Sequence, residues 1–373
     1  MIVALPFFSN RGSPILVYNY LKPLVEIGYK IDILTYPEGK DIKVENVRIK
    51  RIPKLFFLKD TPIGMSINKL IYDFILLIYG IYYGIKKDYE IVHGQHADGA
   101  LIGFFIKKLK KIKLYYTVHS LVSEEMKIRK SRGYKILSKF YDCIENLLYK
   151  NADKMFLVSP SFKKRIAEFG YENKAFFIPD VSEINKIDEE LNRELAKFRD
   201  KIIITYAGNL EAYQGIDLLL ESFALVEKED GMLFIVGGIR KDVDRYKKFA
   251  ERLGIKNVRF FGQQSFDKIH TYLSNSDILI TCRLEGGNIP SKLFTYLCYG
   301  KPIIATNITA HNIVLENNKN ALMCDLNKKD IAEKINLLLK EKELRIKLGN
   351  EAKKLHEEKY NRGIYKKILK ELY

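Results

Sequence analysis

The segment Ile278–His311 has the sequence ILITCRLEGGNIPSKLFTYLCYGKPIIATNITAH, and it predicts the repeating unit of a parallel sheet. Its first apolar run, Ile278–Thr281, is typical of a buried strand. A polar loop with two glycines follows, and Ser291–Tyr299 has the length and composition of a helix. A second apolar run at Pro302–Ala305 predicts the next strand. Strands that alternate with helices in this way favour a sheet covered by helices on both faces.

The same alternation extends over the whole chain of 373 residues. A further strand is predicted at Ile202–Ala207, and the amino half contains an equivalent series that begins with Ile2–Phe7. Residues 181–200 are polar and charged and lack strand signals, which predicts a linker. We therefore expect an α/β fold with two Rossmann-like, doubly wound domains, one over residues 1–180 and one over residues 201–359.

The composition excludes several classes of protein. A chain of this length with 47% hydrophobic residues is neither a disulfide-stabilised miniprotein nor a disordered chain. Its formal net charge is +17, and residues 1–180 carry 30 basic and 18 acidic side chains, so most of the excess lies in the first half. Such an excess indicates nucleic acid, an anionic membrane surface or a phosphorylated ligand as partner. A composition rich in Lys, Ile and Asn can also follow from genome base composition or heat adaptation.

Neither the cysteines nor the apolar segments predict a compartment other than the cytoplasm. The four cysteines are scattered and lack C-x-x-C spacing, which is typical of reduced thiols and not of a zinc site. The opening residues, Met1–Pro6, predict a strand rather than a signal peptide. The stretch Ile67–Ile85 is rich in Leu, Ile and Tyr but contains the charged residues Lys69 and Asp73. We expect a buried or surface-lying helix there rather than a membrane span.

The glycine loop of the opening segment has the chemistry of an anion site. Gly286 and Gly287 let the backbone approach a ligand closely, and the helix that begins at Ser291 has free N–H groups that favour phosphate. Arg283 and Lys292 flank this helix start with positive charge, and an arginine can bind two phosphate oxygens at once. The alternative interpretation is an ordinary helix cap with two solvated basic residues.

These residues carry a resemblance to a known family. The motif Asn288-Ile289-Pro290-Ser291-Lys292, followed by an aromatic-rich helix and by GKPIIAT, resembles the donor site of glycosyltransferase family 4, whose members are retaining enzymes with the GT-B fold. It is most similar to the members with an N-x-P-x-K donor loop. Matching segments elsewhere extend the resemblance over nearly the whole chain: YAGNLEAYQGIDLLLESF (206–223), LFIVGG (233–238), VRFFG (258–262), SNRGSP (9–14) and TVHS (117–120).

The resemblance implies an enzyme, a hexosyltransferase-like glycosyltransferase that moves a sugar from a nucleotide-sugar to a lipid-linked or cell-surface glycan. It implies that the first domain binds the acceptor and the second binds the donor, with the active site in a cleft between them. It also implies that a C-terminal helix over residues 360–373 crosses back to the first domain. Positive side chains and helix N–H groups would stabilise the departing diphosphate. No cofactor is expected.

Site residues follow from the same resemblance. The catalytic residues are expected to be His119, Arg283 and Lys292. Donor contacts are expected from Gly208, Asn209, Gln214, Glu285, Gly287, Asn288, Ile289, Pro290 and Ser291. Acceptor contacts are expected from Arg11, Gly12 and His96. His119 would lie near the donor sugar, and its alternative role is that of a structural histidine at the end of a strand.

The sequence departs from the family pattern at three positions. Members usually carry a basic residue after the glycine at 208 and a lysine before the next glycine, where this chain has Asn209 and Gln214. A second glutamate, proposed to bind the donor ribose, is replaced by Thr295, which leaves Glu285 alone. We expect the two basic residues of the glycine loop to take over the phosphate contacts. The rival hypotheses are a catalytically silent binding subunit and a sugar-nucleotide epimerase on the same fold, which would need its own acid and base carboxylates.

Two motifs that suggest metal binding have a simpler explanation. His93 and His96 lack an evident third ligand, so loop polarity or an acceptor contact is expected instead. Asp242 and Asp244 form an Asp-x-Asp pattern, but they open a predicted helix, where acidic side chains suit the helix dipole. We therefore expect activity without a bound metal.

The basic segment IKKLKKIK at residues 106–113 has five lysines in eight positions. It is suited to contact with an anionic membrane face, where each lysine contributes roughly 1 kcal/mol, and where a lipid-linked acceptor would be presented. The alternative is a solvated helix end. No recognised nucleic-acid module is present, so a nucleic-acid partner is not expected. The expected location is the cytoplasm, with peripheral contact to the inner face of the cell membrane.

Overall fold

The computed structural model describes residues 1–3, 7, 12–39, 41, 43–56, 67–121, 134–184, 186–227 and 230–373. Within them the chain forms two compact units. One unit consists of Met1–Asp180 together with Tyr365–Tyr373, and the other consists of Val181–Ile364. Each unit contains its own parallel sheet, as the alternation of strands and helices predicts.

The first unit has a seven-stranded parallel sheet in the order β3-β2-β1-β4-β5-β6-β7. Its strands are β1 Ile2–Val3, β2 Ile31–Thr35, β3 Val47–Arg51, β4 Ile91–Gln95, β5 Lys113–Val118, β6 Lys154–Leu157 and β7 Ala175–Phe177. The helices between them are α1 Gly12–Glu26, α2 Ile67–Lys86, α3 His96–Leu109, α4 Tyr134–Asn151 and α5 Phe162–Glu168. Of the expected strand Ile2–Phe7, residues 4–6 lie outside the described residues.

The central strands of this sheet are buried because helices pack against them. All residues of β2 and β4 are buried. Helices α2 and α3 contribute Leu76, Ile102 and Ile106 to a core that also contains Val3 and Leu34 from the strands. No described helix combines the length and apolarity that crossing a membrane requires. The strand order reverses between β1 and β4, which is where sheets of this kind bind ligands.

The second unit has a six-stranded parallel sheet in the order β10-β9-β8-β11-β12-β13. Its strands are β8 Ile202–Ala207, β9 Gly231–Val236, β10 Val258–Gly262, β11 Ile278–Thr281, β12 Ile303–Thr306 and β13 Leu322–Cys324. Its helices are α6 Glu189–Leu195, α7 Ile216–Phe223, α8 Arg240–Arg252, α9 Phe266–Ser274, α10 Ser291–Tyr299, α11 Thr309–Asn312, α12 Lys328–Lys340 and α13 Lys342–Leu355. Here the order reverses between β8 and β11.

Residues 181–200, which we expected to be a linker, pack within the second unit. They contain α6, and its residues Leu191 and Leu195 are buried. The backbone N–H of Asp188 donates to Oγ1 of Thr271 over 2.8 Å, which holds the start of α6 against α9. The two leucines are four residues apart and therefore lie on one side of the helix, a short apolar face within an otherwise polar sequence.

The last helix, α14 Arg362–Leu372, leads into the first unit. Lys366 pairs with Glu26 at 3.0 Å, and the hydroxyl of Tyr373 forms a hydrogen bond with Nδ1 of His93. Tyr365 is buried in the same unit. Residues 365–373 thus complete the packing of the unit that the first half of the chain begins.

Candidate functional site

Two loops come together at the carboxyl edge of the second sheet, where its strand order reverses. One loop follows β8 and runs through Gly208 and a 3-10 turn at Ala212–Gln214 into α7. The other follows β11 and runs from Arg283 into α10. The backbone N–H of Leu284 donates to the carbonyl of Tyr213 over 2.9 Å and so joins the loops.

Lys292 lies in the first turn of α10; its side chain is half-buried, and its ammonium group lies between the loops, where burial shifts its pKa. Nζ donates a 3.1 Å hydrogen bond to Oε1 of Gln214 and lies 3.9 Å from the ring centroid of Tyr206. Burial, with a smaller effect from the charge of Arg283, lowers the pKa of Lys292 to about 7. An anion bound beside this group would favour its charged form.

Gly208 makes room for the ammonium group of Lys292. A Cβ atom at Gly208 would lie 2.5 Å from Nζ of Lys292 and 3.0 Å from the hydroxyl of Tyr206. That hydroxyl donates to the carbonyl of Asn209 over 2.6 Å and holds the turn in place. A side chain at position 208 would therefore displace the lysine from its position beside Gln214.

Arg283 binds its own loop. Its side chain is only 7% exposed, and Nε donates to the carbonyl of Glu285 over 2.7 Å. Nη1 and Nη2 donate to the carbonyl and the side-chain oxygen of Asn288 over 3.1 and 2.7 Å. Burial lowers the pKa of the guanidinium. Gly286 has φ +132°, and a Cβ atom there would lie 2.0 Å from Nη2, so the loop can wrap around Arg283 only with glycine at this position.

Among the described residues, no carboxylate compensates the charges of Arg283 and Lys292. Within the described part of the chain, neither group has a carboxylate at ion-pair distance, and their hydrogen bonds go to amide and carbonyl oxygens. A buried charge is ordinarily paired. An arginine has five N–H groups, and three of those of Arg283 bind the loop, so two have no acceptor among the described residues. The arrangement is that of a site for an anion.

The start of α10 adds backbone donors to this site. Pro290 precedes the helix in an extended conformation, and no described side chain caps it. Ile289 is buried and anchors the turn, while Ser291 begins the helix half-buried. The N–H of Leu293 donates to the carbonyl of Pro290 over 2.9 Å, so the N–H groups of Ser291 and Lys292 are the ones that face an anion at this helix start.

The remaining predicted donor residues differ in their surroundings. Gln214 is buried, whereas Glu285 and Gly287 are exposed. Nδ2 of Asn209 donates to the hydroxyl of Tyr213 over 3.3 Å, so this residue holds its own turn. The structure thus brings together at one edge of one sheet the predicted residues Gly208, Asn209, Gln214, Arg283, Asn288, Ile289, Pro290, Ser291 and Lys292, with Glu285 and Gly287 on the exposed side of the loop.

Sequence reasoning missed the side chains that support these loops. Oγ1 of Thr306 donates to the carbonyl of Arg283 over 2.5 Å, and Nδ1 of His311 lies 2.8 Å from the carbonyl of Thr306. The hydroxyl of Tyr296 accepts the N–H of Ala207 over 2.9 Å. These contacts join residues that are far apart in the chain. The sequence contains one signal of this support. Tyr296 is a tyrosine inside an apolar helix, and a buried tyrosine hydroxyl needs a hydrogen-bond partner.

A second group of polar side chains lies in the first unit, at the carboxyl ends of β4 and β5. The rings of His96 and His119 are stacked with their centroids 4.1 Å apart, and Nε2 of His119 lies 2.9 Å from Oε1 of Gln95. Burial lowers the pKa of His96 to about 4 and that of His119 well below its ordinary value, so both rings are neutral at neutral pH. His96 has φ +59°, a conformation that is uncommon outside glycine.

The remaining predicted residues of this unit are Arg11 and Gly12, and His93 accompanies His96 in the motif that suggests a metal. Gly12 begins α1, and Arg11 lies outside the described residues. Nε2 of His93 forms a 2.7 Å hydrogen bond with Oγ1 of Thr117, and its Nδ1 binds Tyr373, so His93 is a buried structural residue.

Neither of the two motifs that suggest a metal forms a ligand cluster. Both nitrogens of His93 are engaged within the core, and Asp242 and Asp244 lie at the start of α8, where Asp244 is 3.9 Å from Arg240. Across the described ranges, no group of three His, Cys, Asp or Glu side chains is arranged to hold a metal ion.

Family comparisons match both halves of the chain. Residues 187–355 match the model of the glycosyl transferases group 1, and residues 11–180 match the model of glycosyltransferase family 4. An uncharacterized glycosyltransferase of Methanocaldococcus jannaschii is 28% identical over 343 residues, which cover 89% of this chain and 84% of the relative. A putative colanic acid biosynthesis glycosyl transferase of Escherichia coli is 26% identical over 189 residues, 48% of this chain and 46% of the relative.

Solved structures share the fold over the full length. The sucrose-phosphate synthase of Thermosynechococcus elongatus aligns with a TM-score of 0.81 and 17% identity, covering 100% of this chain and 98% of that one. HepE of Anabaena, in complex with UDP-glucose, aligns with a TM-score of 0.75 and 14% identity at the same coverage. The expected fold class, a GT-B architecture of two Rossmann-like units, is confirmed.

Proposed function

We propose that this chain, a glycosyltransferase with the GT-B fold, transfers a sugar from a nucleotide-sugar to a lipid-linked or cell-surface glycan acceptor with retention of configuration. The observation that carries the proposal is the pair of uncompensated cations at the switch point of the second sheet. Arg283 and Lys292 lie beside a free helix start, which suits the diphosphate of such a donor. The similar HepE has been solved with UDP and with UDP-glucose, which supports a donor of this class.

In the proposed reaction the bond between the sugar C1 and the diphosphate oxygen breaks, and a bond between C1 and an acceptor hydroxyl oxygen forms on the same face. The acceptor proton passes to the diphosphate that leaves. Lys292, Arg283 and the N–H groups of α10 would stabilise the negative charge that develops on it. His119, which is neutral, would orient the donor sugar by hydrogen bonding, and His96 would contact the acceptor. No metal is required in this scheme.

The type of donor loop and the class of sugar belong to the same proposal. We assign the chain to the members with an N-x-P-x-K loop because Lys292, the lysine of that motif, provides the buried ammonium group of the site. A hexose is the proposed sugar. The epimerase alternative is not favoured, because Glu285 is the one carboxylate of the glycine loop and its side chain is exposed.

A thermal-shift screen against UDP-, GDP-, ADP- and dTDP-sugars tests the donor. A ligand at one hundred times its dissociation constant stabilises the native state by about 2.7 kcal/mol. We expect a shift with one nucleotide family in the wild type and a loss of that shift in Lys292→Met. If none of the four classes of nucleotide-sugar shifts the melting temperature, the silent-subunit hypothesis is favoured. Release of sugar from the donor above background would exclude that hypothesis.

A further inference from the structure

One face of α2 is apolar and exposed. Five residues spaced mainly at four-residue intervals form it, and we call them the α2 stripe. Their exposed fractions are 63% for Leu70, 63% for Phe74, 50% for Ile78, 51% for Tyr82 and 53% for Ile85. Residues four apart lie above one another on a helix, so these side chains form a continuous band along its outer side.

The opposite face of α2 is already fully packed. A Cβ atom on Gly80 would lie 2.5 Å from Cγ2 of Ile102, and one on Gly84 would lie 2.6 Å from Cγ2 of Ile106. The two glycines therefore seat α2 closely on α3. Because this close contact sets the rotation of the helix, the α2 stripe cannot turn inwards to join the core.

The charged groups in the first turns of α2 do not shield the stripe, and the exposed Lys86 at the end of the helix donates a 2.9 Å hydrogen bond to the hydroxyl of Tyr82, which places a positive charge at the edge of the stripe. Nζ of Lys69 pairs with Asp73 at 2.7 Å and with Asp98 at 2.5 Å, and Asp73 also accepts a hydrogen bond from the hydroxyl of Tyr36. These contacts hold the charges of Lys69 and Asp73 on the protein side of the helix. A contiguous exposed apolar band on a protein surface marks an interaction site.

Lysines without an ion pair to a described residue lie in the last turn of α3 and between α3 and the start of β5. Lys107 and Lys110 of the basic segment pair with Asp153 and Asp88, at 2.6 and 3.2 Å. The other three lysines of the segment are exposed and have no ion pair with a described residue: Lys108, Lys111 and Lys113. Two apolar residues of the same part of α3, Phe105 and Leu109, are also exposed.

We propose that the α2 stripe and these three lysines form a docking face for an anionic phospholipid surface, with α2 lying in the plane of the headgroups. An apolar band bordered by lysines is the pattern of helices that lie in a membrane interface. Charge favours this occupant over a second copy of the chain, because self-association through this face would bring the same unpaired lysines together. The proposal rests on the proposed function for its purpose, since a lipid-linked acceptor is presented at such a surface, but it can be measured without turnover.

Sedimentation of the full chain with vesicles tests the docking face. We expect binding to vesicles of phosphatidylglycerol but not of phosphatidylcholine, and weaker binding at about 0.5 M than at about 0.05 M salt because screening is stronger. Ile78→Glu should weaken binding about tenfold or more, since it places a charge within the band. The matched control is Ile346→Glu, at a residue of α13 that is 47% exposed and lies in the other unit.

The lysines are tested with a matched pair of double variants. Lys108→Glu/Lys111→Glu should abolish the preference for the anionic lipid, whereas Lys342→Glu/Lys347→Glu, at exposed positions of α13, should leave it unchanged. Equal effects of Ile78→Glu and Ile346→Glu would overturn the proposal, as would absence of binding at low salt. A dimer in solution that Ile78→Glu dissociates would assign the face to a second copy instead.

The thermal shift with the nucleotide-sugar separates the two proposals. If the wild type shows the nucleotide shift but does not bind the anionic vesicles, the docking face alone is contradicted. Intact vesicle binding without a nucleotide shift contradicts the proposed function alone. Ile78→Glu should keep the wild-type nucleotide shift, because it lies on α2 in the first unit and outside the donor site.

Discussion

Nζ of Lys292 donates a 3.1 Å hydrogen bond to Oε1 of Gln214. This contact links the loop after β8 to the start of α10, which lie far apart in the sequence. Gln214 occupies the position where family members usually carry a lysine. A lysine there would place a second ammonium group against that of Lys292, whereas the amide oxygen of glutamine accepts its hydrogen bond. The glutamine at position 214 therefore occurs together with Lys292, which already supplies the positive charge at this point of the site.

Donor affinity should depend on pH through Lys292. Its pKa in the free protein is lowered to about 7, so the group loses its charge as the pH rises above that value. We expect donor affinity to fall above pH 7, with a limiting slope of about tenfold per pH unit. Calorimetric titration across this range measures it. Lys292→Arg, which stays charged, should give a flat profile, and an equal slope in both proteins would contradict the assignment.

Removing the charge of Lys292 should stabilise the fold. The pKa is lowered on folding, so the unfolded chain binds more protons between pH 7 and the ordinary lysine value, and the charged group opposes folding below pH 7. We expect Lys292→Met to gain about 1 kcal/mol, or roughly 2–4 °C in Tm, while sugar transfer is lost. Thermal unfolding at pH 6.5 measures the gain. The exposed Lys342→Met serves as control, and a Tm below that of the wild type would refute the prediction.

Arg283 should be needed for both charge and loop shape. Arg283→Ala removes the groups that bind Glu285 and Asn288, and turnover should fall steeply while the fold persists. Arg283→Lys keeps the charge but cannot make these contacts together, so we expect kcat/KM to fall about a hundredfold, equivalent to about 3 kcal/mol. Circular dichroism checks the fold. Near-normal turnover in Arg283→Ala would exclude Arg283 from the site.

Transfer should survive removal of divalent metal. Two cationic side chains and a helix start stabilise the leaving diphosphate in the proposed reaction. A bound divalent metal ion is therefore not needed to offset its negative charge. We expect the same rate of transfer with and without EDTA after dialysis. Loss of activity in EDTA that added Mn²⁺ or Mg²⁺ restores would show that a metal takes part.

The sequence predicts the sheets well because their strands are short apolar runs. Ile278–Thr281 is fully buried as expected, and the carboxyl edge next to it contains the predicted Arg283 and Lys292. The contacts of Arg283 with its own loop could not be predicted, because hydrogen bonds to backbone carbonyls require no particular residue type. The packing of α6 was missed for a related reason, since Leu191 and Leu195 are two apolar residues in a polar stretch.

The contact between Tyr373 and His93 has a consequence for synthesis on the ribosome. His93 lies in the first half of the chain, yet its partner emerges only after all of Val181–Ile364 has been translated. Until then the first unit lacks the ring that packs against His93 and Phe156, whereas the second unit already has its complete sequence. The unit whose synthesis begins first therefore receives residues 365–373 only after all of the second unit has been synthesised.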